Sequence, residues 1–119
     1  MKINQVEEDM LHRGIMDDRR LYVYASNKST YVYPGGVKPT LVILTLKGNT
    51  FNVCEAKLNN DAKNIIFRCP LSKMENFKFK PGAFFTVLSF TVGKDEFKFT
   101  NFEKGKKFVP AFKEAGILK

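Results

Sequence analysis

A chain of 119 residues that is 44% hydrophobic and holds twelve Phe is long and apolar enough for one domain with its own core, which excludes a disordered or fibrous chain. Two cysteines are too few for a disulfide framework. The formal charge of +8 draws anions such as phospholipid headgroups, nucleic acid or acidic proteins, and all of the excess lies beyond Arg20, because residues 1–20 carry four basic against five acidic groups.

Ile3, Val6, Met10 and Leu11 recur at helical spacing ahead of Gly14, which predicts a short amphipathic helix in residues 1–20. After Arg20 the pattern changes to short alternating runs. Residues 21–25 and 30–33, rich in Tyr and Val, read as strands around a turn at 26–29, and Pro34-Gly35-Gly36 ends the second. Residues 41–46 are apolar on both parities, as in a strand covered on both sides, and Lys47-Gly48-Asn49 turns them back into 50–54. The polar stretch 57–63 leads to a strand at 64–69. Phe77 and Phe79 alternate with Lys78 and Lys80 up to Pro81-Gly82, and a further strand covers 84–92. Gly93-Lys94-Asp95 is a turn, followed by Phe97 and Phe99 alternating with Glu96, Lys98 and Thr100. Phe108, Phe112 and Ala115 share one helix face that Gly116 ends, and Pro110 fits the first turn of a helix starting near Lys107.

The reading is a mainly β chain, with an N-terminal helical extension (1–20) and a domain of about seven short strands capped by a C-terminal helix (21–119). Residues 41–53 resemble the central hairpin of the bacterial pleckstrin-homology-like (PH-like) domains, which are related in architecture to the GRAM domains. Residues 69–77 resemble that family's strand into the second sheet, and residues 97–117 its last strand and closing helix. The likeness covers most of 30–117. It implies a PH-like barrel of two nearly orthogonal antiparallel sheets, with the C-terminal helix over one open corner. It also implies binding through loops at the open end, here 34–39, 57–63 and 93–94, or through protein contacts. Those loops carry Lys38, Lys57, Lys63 and Lys94, whose ammonium groups can hold a phosphate or carboxylate where they converge.

Catalytic chemistry has little to build on. His12 is the one histidine and falls on the surface of the first helix. Cys69 stands beside Arg68, which lowers a thiol pKa, yet has neither a helix terminus nor a histidine near it; Cys54 and Cys69 read as reduced packing residues. Two separated Cys and one distant His do not make a zinc site, so no metal or cofactor is expected. Asp17-Asp18 and Asp95-Glu96 are neighbours that diverge from any one substrate, and Gly35-Gly36 lacks the Lys-Ser/Thr of a phosphate loop.

Aromatic residues and lysines interleave at 77–80 and 97–99, as on single-stranded nucleic-acid platforms, but strand parity puts the two sets on opposite faces. Tyr22, Tyr24, Tyr31 and Tyr33 offer a second platform, or an edge for self-association. Lys104, Lys106, Lys107 and Lys113 form a basic patch beside the C-terminal helix. No apolar run reaches the roughly 18 residues of a membrane span, and the N-terminus is polar where a signal peptide is apolar. The expectation is a cytoplasmic, non-catalytic module that engages a protein partner or, peripherally, an anionic lipid surface. The alternative is a small β-barrel that binds single-stranded nucleic acid. An enzyme would require a pocket gathering Cys69, Arg68 and a carboxylate.

Overall fold

The computed structural model describes residues 3–36, 38–56, 62–81, 86–100 and 105–118. Seven antiparallel strands make one sheet: β1 (Tyr22–Asn27), β2 (Leu41–Lys47), β3 (Thr50–Ala56), β4 (Ala62–Pro70), β5 (Glu75–Pro81), β6 (Thr86–Val92) and β7 (Asp95–Thr100). They lie in the order β4-β3-β2-β1-β7-β6-β5, so β4 and β5 are its two edges and the sheet does not close on itself. Two-residue turns join β2 to β3 and β6 to β7. Gly48 and Gly93, the first residue of each turn, take φ +58° and +61°, a conformation that costs glycine nothing.

The sheet folds over on itself. β3 and β6 stand four places apart, roughly 19 Å in a flat sheet, yet the rings of Phe51 and Phe90 meet at 5.6 Å. Phe67 on β4 stacks on Phe97 of β7 at 4.4 Å across the same interior. The inward residues of both halves, among them Val42, Leu44, Phe51, Val53, Leu88, Phe90 and Phe99, form one core. Each such side chain contributes about 1.5–3 kcal/mol by leaving water.

The short helix α2 (Val109–Glu114) packs into this core through Phe112, whose ring lies 5.2 Å from both Phe77 and Phe79 and stacks on Phe108 at 5.6 Å. Pro110 sits in its first turn, where the missing N–H breaks no hydrogen bond. The helix stops at Gly116, φ +81°, whose N–H donates to the Lys113 carbonyl. It starts two residues later than the sequence indicates, because Gly105–Phe108 winds as a tighter 3₁₀ turn.

The outer face of β1–β4 is covered as well. The cross-strand row Tyr24–Ile43–Cys54–Ile65 lies under Val6 and Met10 of helix α1 (Ile3–His12), together with Ile15 and Met16, as a second apolar cluster. That cover explains why β2 is apolar on both parities. Arg20 ties α1 down through 2.8 Å ion pairs to Glu7 and Glu8, and the Tyr22 hydroxyl donates to Glu7 at 2.8 Å.

One expected strand is absent. Residues 30–32 form no strand and Tyr33 makes only an isolated bridge, while the expected hairpin partner, β1, has β2 on one side and β7 on the other. Tyr31 and Tyr33 instead insert into the core against Phe67 and Phe97, with Val32 exposed between them. Burial of aromatic rings mimics the alternation of a strand. The tyrosine-rich segments are therefore not the sheet's edges, which are β4 and β5.

Candidate functional site

The β2–β3 turn fixes the register so that Thr45 faces Asn52, and Asn52 faces Arg68 on β4. The row Tyr22–Thr45–Asn52–Arg68 runs across the outer face, one step closer to the turn than the apolar row under α1. Beyond it come Lys47 and Thr50, paired at the turn itself. Residues 14–17 cross over this end of the sheet and leave a cleft of about 570 Å³ lined by Gly14, Asp17, Lys47, Gly48, Thr50, Asn52 and Arg68.

A buried polar network builds the floor. Thr45 Oγ1 donates to the Ile15 carbonyl at 2.7 Å, and Asn52 Nδ2 donates to the same oxygen at 2.9 Å and to Thr45 Oγ1 at 3.2 Å. Both side chains are fully buried, so these bonds offset the cost of taking the polar groups out of water. Asn52 Oδ1 then accepts from Arg68 Nε at 3.2 Å, which orients the guanidinium from its inner edge and leaves its terminal nitrogens for the cleft.

The side wall is a clamp on the turn. Asp17 Oδ2 accepts from the Gly48 amide at 2.7 Å and from Arg19 Nη2 at 2.8 Å, while the same Arg19 nitrogen donates to the Gly48 carbonyl at 2.7 Å. Hydrogen bonds from Arg19, then from the Gly48 and Arg19 amides, outweigh burial and hold the Asp17 carboxyl down at about 2. Asp17 is thus an anion already matched by Arg19, and Lys47 and Arg68 remain to face the cleft. Lys47 Nζ lies over Gly14, 3.1 Å from where a Cβ would stand. Lys47 and Arg68 sit two strands and one same-face step apart, a diagonal of roughly 12 Å at the backbone, within reach of one small anion by their long side chains.

Of the lysines expected at the loops, the described ones, Lys38 and Lys94, do not line this cleft. Lys38 and Lys94 are exposed, the latter in the β6–β7 turn. Lys57 and the side chain of Lys63 lie outside the described residues, as does Lys104 of the C-terminal patch. Lys106 and Lys113 are exposed, but the 3₁₀ turn breaks the helical spacing that would align them. Lys107 is half-buried with Nζ 4.4 Å over the Tyr22 ring, joining the end of the chain to the Glu7–Tyr22–Arg20 group.

His12 is exposed at the end of α1. Both cysteines are free and buried; burial pushes the Cys54 thiol up to about 12 and raises that of Cys69. Among the described residues no three His, Cys, Asp or Glu side chains gather to hold a metal ion, and no helix is long and apolar enough to cross a membrane. Phe79, Phe97 and Phe99 are buried while Lys78, Lys80 and Lys98 are exposed, as strand parity requires.

The sequence does not reveal Lys47, Arg68, Asn52 and Thr50 as a group, and Asp17 reads there only as a carboxylate that diverges from its neighbour Asp18. Comparison with family models, with curated proteins and with solved structures returned no match.

Proposed function

We propose that the chain is a non-catalytic binding module of PH-like architecture that takes a phosphate group into the Lys47–Arg68 cleft, carried by a soluble ester or by an anionic lipid headgroup. The observation that carries this reading is the cleft itself, where two cations from different strands face one space above a hydrogen-bonded floor. Its volume of about 570 Å³ falls in the range of small-molecule sites, about 300–1,000 Å³. A phosphate monoester carries roughly two negative charges at neutral pH and so matches two cations, whereas a lone carboxylate leaves one over.

Support for the PH-like part comes from the strand order, two successive meanders (β1–β4 and β5–β7) joined through the short β1–β7 pairing, with α2 against the shared core. The non-catalytic part rests on thiols that burial keeps protonated. A single-stranded nucleic-acid platform is less well served, because the rings of Phe79, Phe97 and Phe99 face the core and leave the lysines beside them without stacking partners.

The test is calorimetric titration at physiological salt with inorganic phosphate, alongside sedimentation with phosphatidic-acid and with neutral phosphatidylcholine vesicles. One saturable site that weakens at least about tenfold in Lys47→Glu/Arg68→Glu is expected. Phosphate binding without vesicle binding assigns a soluble ester, and vesicle binding that phosphate displaces assigns a headgroup. Binding to neither source, or binding indifferent to both substitutions, overturns the reading.

A further inference from the structure

On β5–β7 the outer face has no helix over it among the described residues, in contrast to the face under α1. Its central strand, β6, presents the small side chains Ser89 and Thr91, and the flanking strands present long ones. Register sets Lys78 on β5 opposite Ser89, and Ser89 opposite Lys98 on β7. Small residues between long ones make a trough of about 340 Å³ lined by Asn76, Lys78, Ser89, Thr91, Glu96 and Lys98, with the buried residues Phe90 and Phe97 in its floor. Its walls stand two strand spacings apart, roughly 10 Å, the width of one extended polypeptide. Neither Lys78 nor Lys98 forms an ion pair among the described residues, whereas Asn76 Nδ2 and Thr91 Oγ1 are bonded at 3.0 Å and close one end.

We infer that this trough is a docking groove for an extended acidic peptide of a protein partner, its chain lying along β6 with carboxylates on the Lys78 and Lys98 walls. Charge complementarity selects the occupant. Lys80 continues the basic wall one step along β5, and two acids, Glu96 in the trough and the exposed Glu75 paired with Thr91, stand at the Asn76–Thr91 end, where the peptide would carry a neutral or donor side chain. A nucleic-acid strand finds no exposed ring here to stack its bases on, because Phe90 and Phe97 in the floor are buried with their rings in the core. A bilayer is flat and would contact the rims without entering. The groove lies on strands that contribute nothing to the Lys47–Arg68 cleft, so this inference stands apart from the phosphate reading.

Fluorescence anisotropy of a labelled eight-residue Asp/Glu-rich peptide with the full chain tests it at physiological salt. Saturable binding is expected to weaken at least about tenfold in Lys78→Glu/Lys98→Glu and to be unchanged in Lys47→Glu/Arg68→Glu. Ser89→Tyr keeps the charge and fills the trough, and the same loss is expected from it. Urea midpoints equal to wild type establish that the variants fold, and Lys78→Gln/Lys98→Gln serves where the double Glu variant does not. Failure of the peptide to bind, equal loss in the Lys47/Arg68 variant, full binding by Ser89→Tyr, or tighter binding of an oligothymidylate through the same lysines overturns the inference.

Discussion

Asp17→Asn removes one charge from the clamp on the β2–β3 turn and leaves an oxygen that can still accept from the Gly48 amide. The Asp17 carboxyl is held at about 2 against an ordinary 3.8, foremost by the hydrogen bonds from Arg19. That difference corresponds to at most about 2.4 kcal/mol of stability. The Arg19 and Asp17 side chains are 37% and 23% exposed, so solvent screening lowers the expected contribution to about 1–2 kcal/mol. The sign follows from the folded pKa lying below the unfolded one. The contribution is fully present above about pH 4 and is lost as pH falls through about 2. Glu7, whose pKa is also lowered, foremost by its hydrogen bond from Arg20, titrates equally in both proteins and cancels from the difference. Urea unfolding of wild type and variant, followed by circular dichroism at several pH values, should give a gap of about 1–2 kcal/mol near pH 6 that closes toward pH 2. A gap that is absent near neutrality, or that persists unchanged in acid, refutes the clamp.

Phe112→Ala should cost about 3–5 kcal/mol, because the buried ring meets Phe77, Phe79 and Phe108, and should lower the urea midpoint by roughly 2 M; an unchanged midpoint would contradict the packing of α2. Asn52→Ala deletes the donor to Ile15 and the acceptor of Arg68, so a loss of about 2–3 kcal/mol is expected together with weaker phosphate binding, and full phosphate affinity in a folded variant would mean that Arg68 needs no orientation. Cys54, buried under α1, should react with a thiol reagent only as fast as the chain opens and at once in urea; prompt labelling of the native protein would show that α1 does not cover it.

Much of the sheet was legible because turns and parity are local signals. The strands β2, β3, β4, β5 and β7 fell where alternation and the Lys47-Gly48-Asn49 and Gly93-Lys94 turns placed them, and the double-sided apolarity of residues 41–46 announced cover on both faces. Residues 30–33 misled the reading because Tyr31 and Tyr33 alternate for a different reason, insertion into the core from a loop. The cleft was harder to see, since its parts lie on four separate stretches of chain. One signal was available. A two-residue turn at Gly48-Asn49 forces Thr45 opposite Asn52, so two polar residues at paired positions in apolar strands marked a buried polar contact needing a partner. That the partner is the carbonyl of Ile15, and that Arg68 completes the row, depends on the β3–β4 bulge and on where α1 docks, neither of which is encoded locally.

The central claim is that Lys47 and Arg68 together receive a phosphate group. Amide chemical-shift mapping while inorganic phosphate is added at physiological salt tests it most directly. The account predicts saturable shifts concentrated at Gly14, Gly48, Thr50 and Arg68 that vanish in Lys47→Glu/Arg68→Glu. Shifts spread over all exposed lysines, or none at the cleft at saturating phosphate, would contradict it.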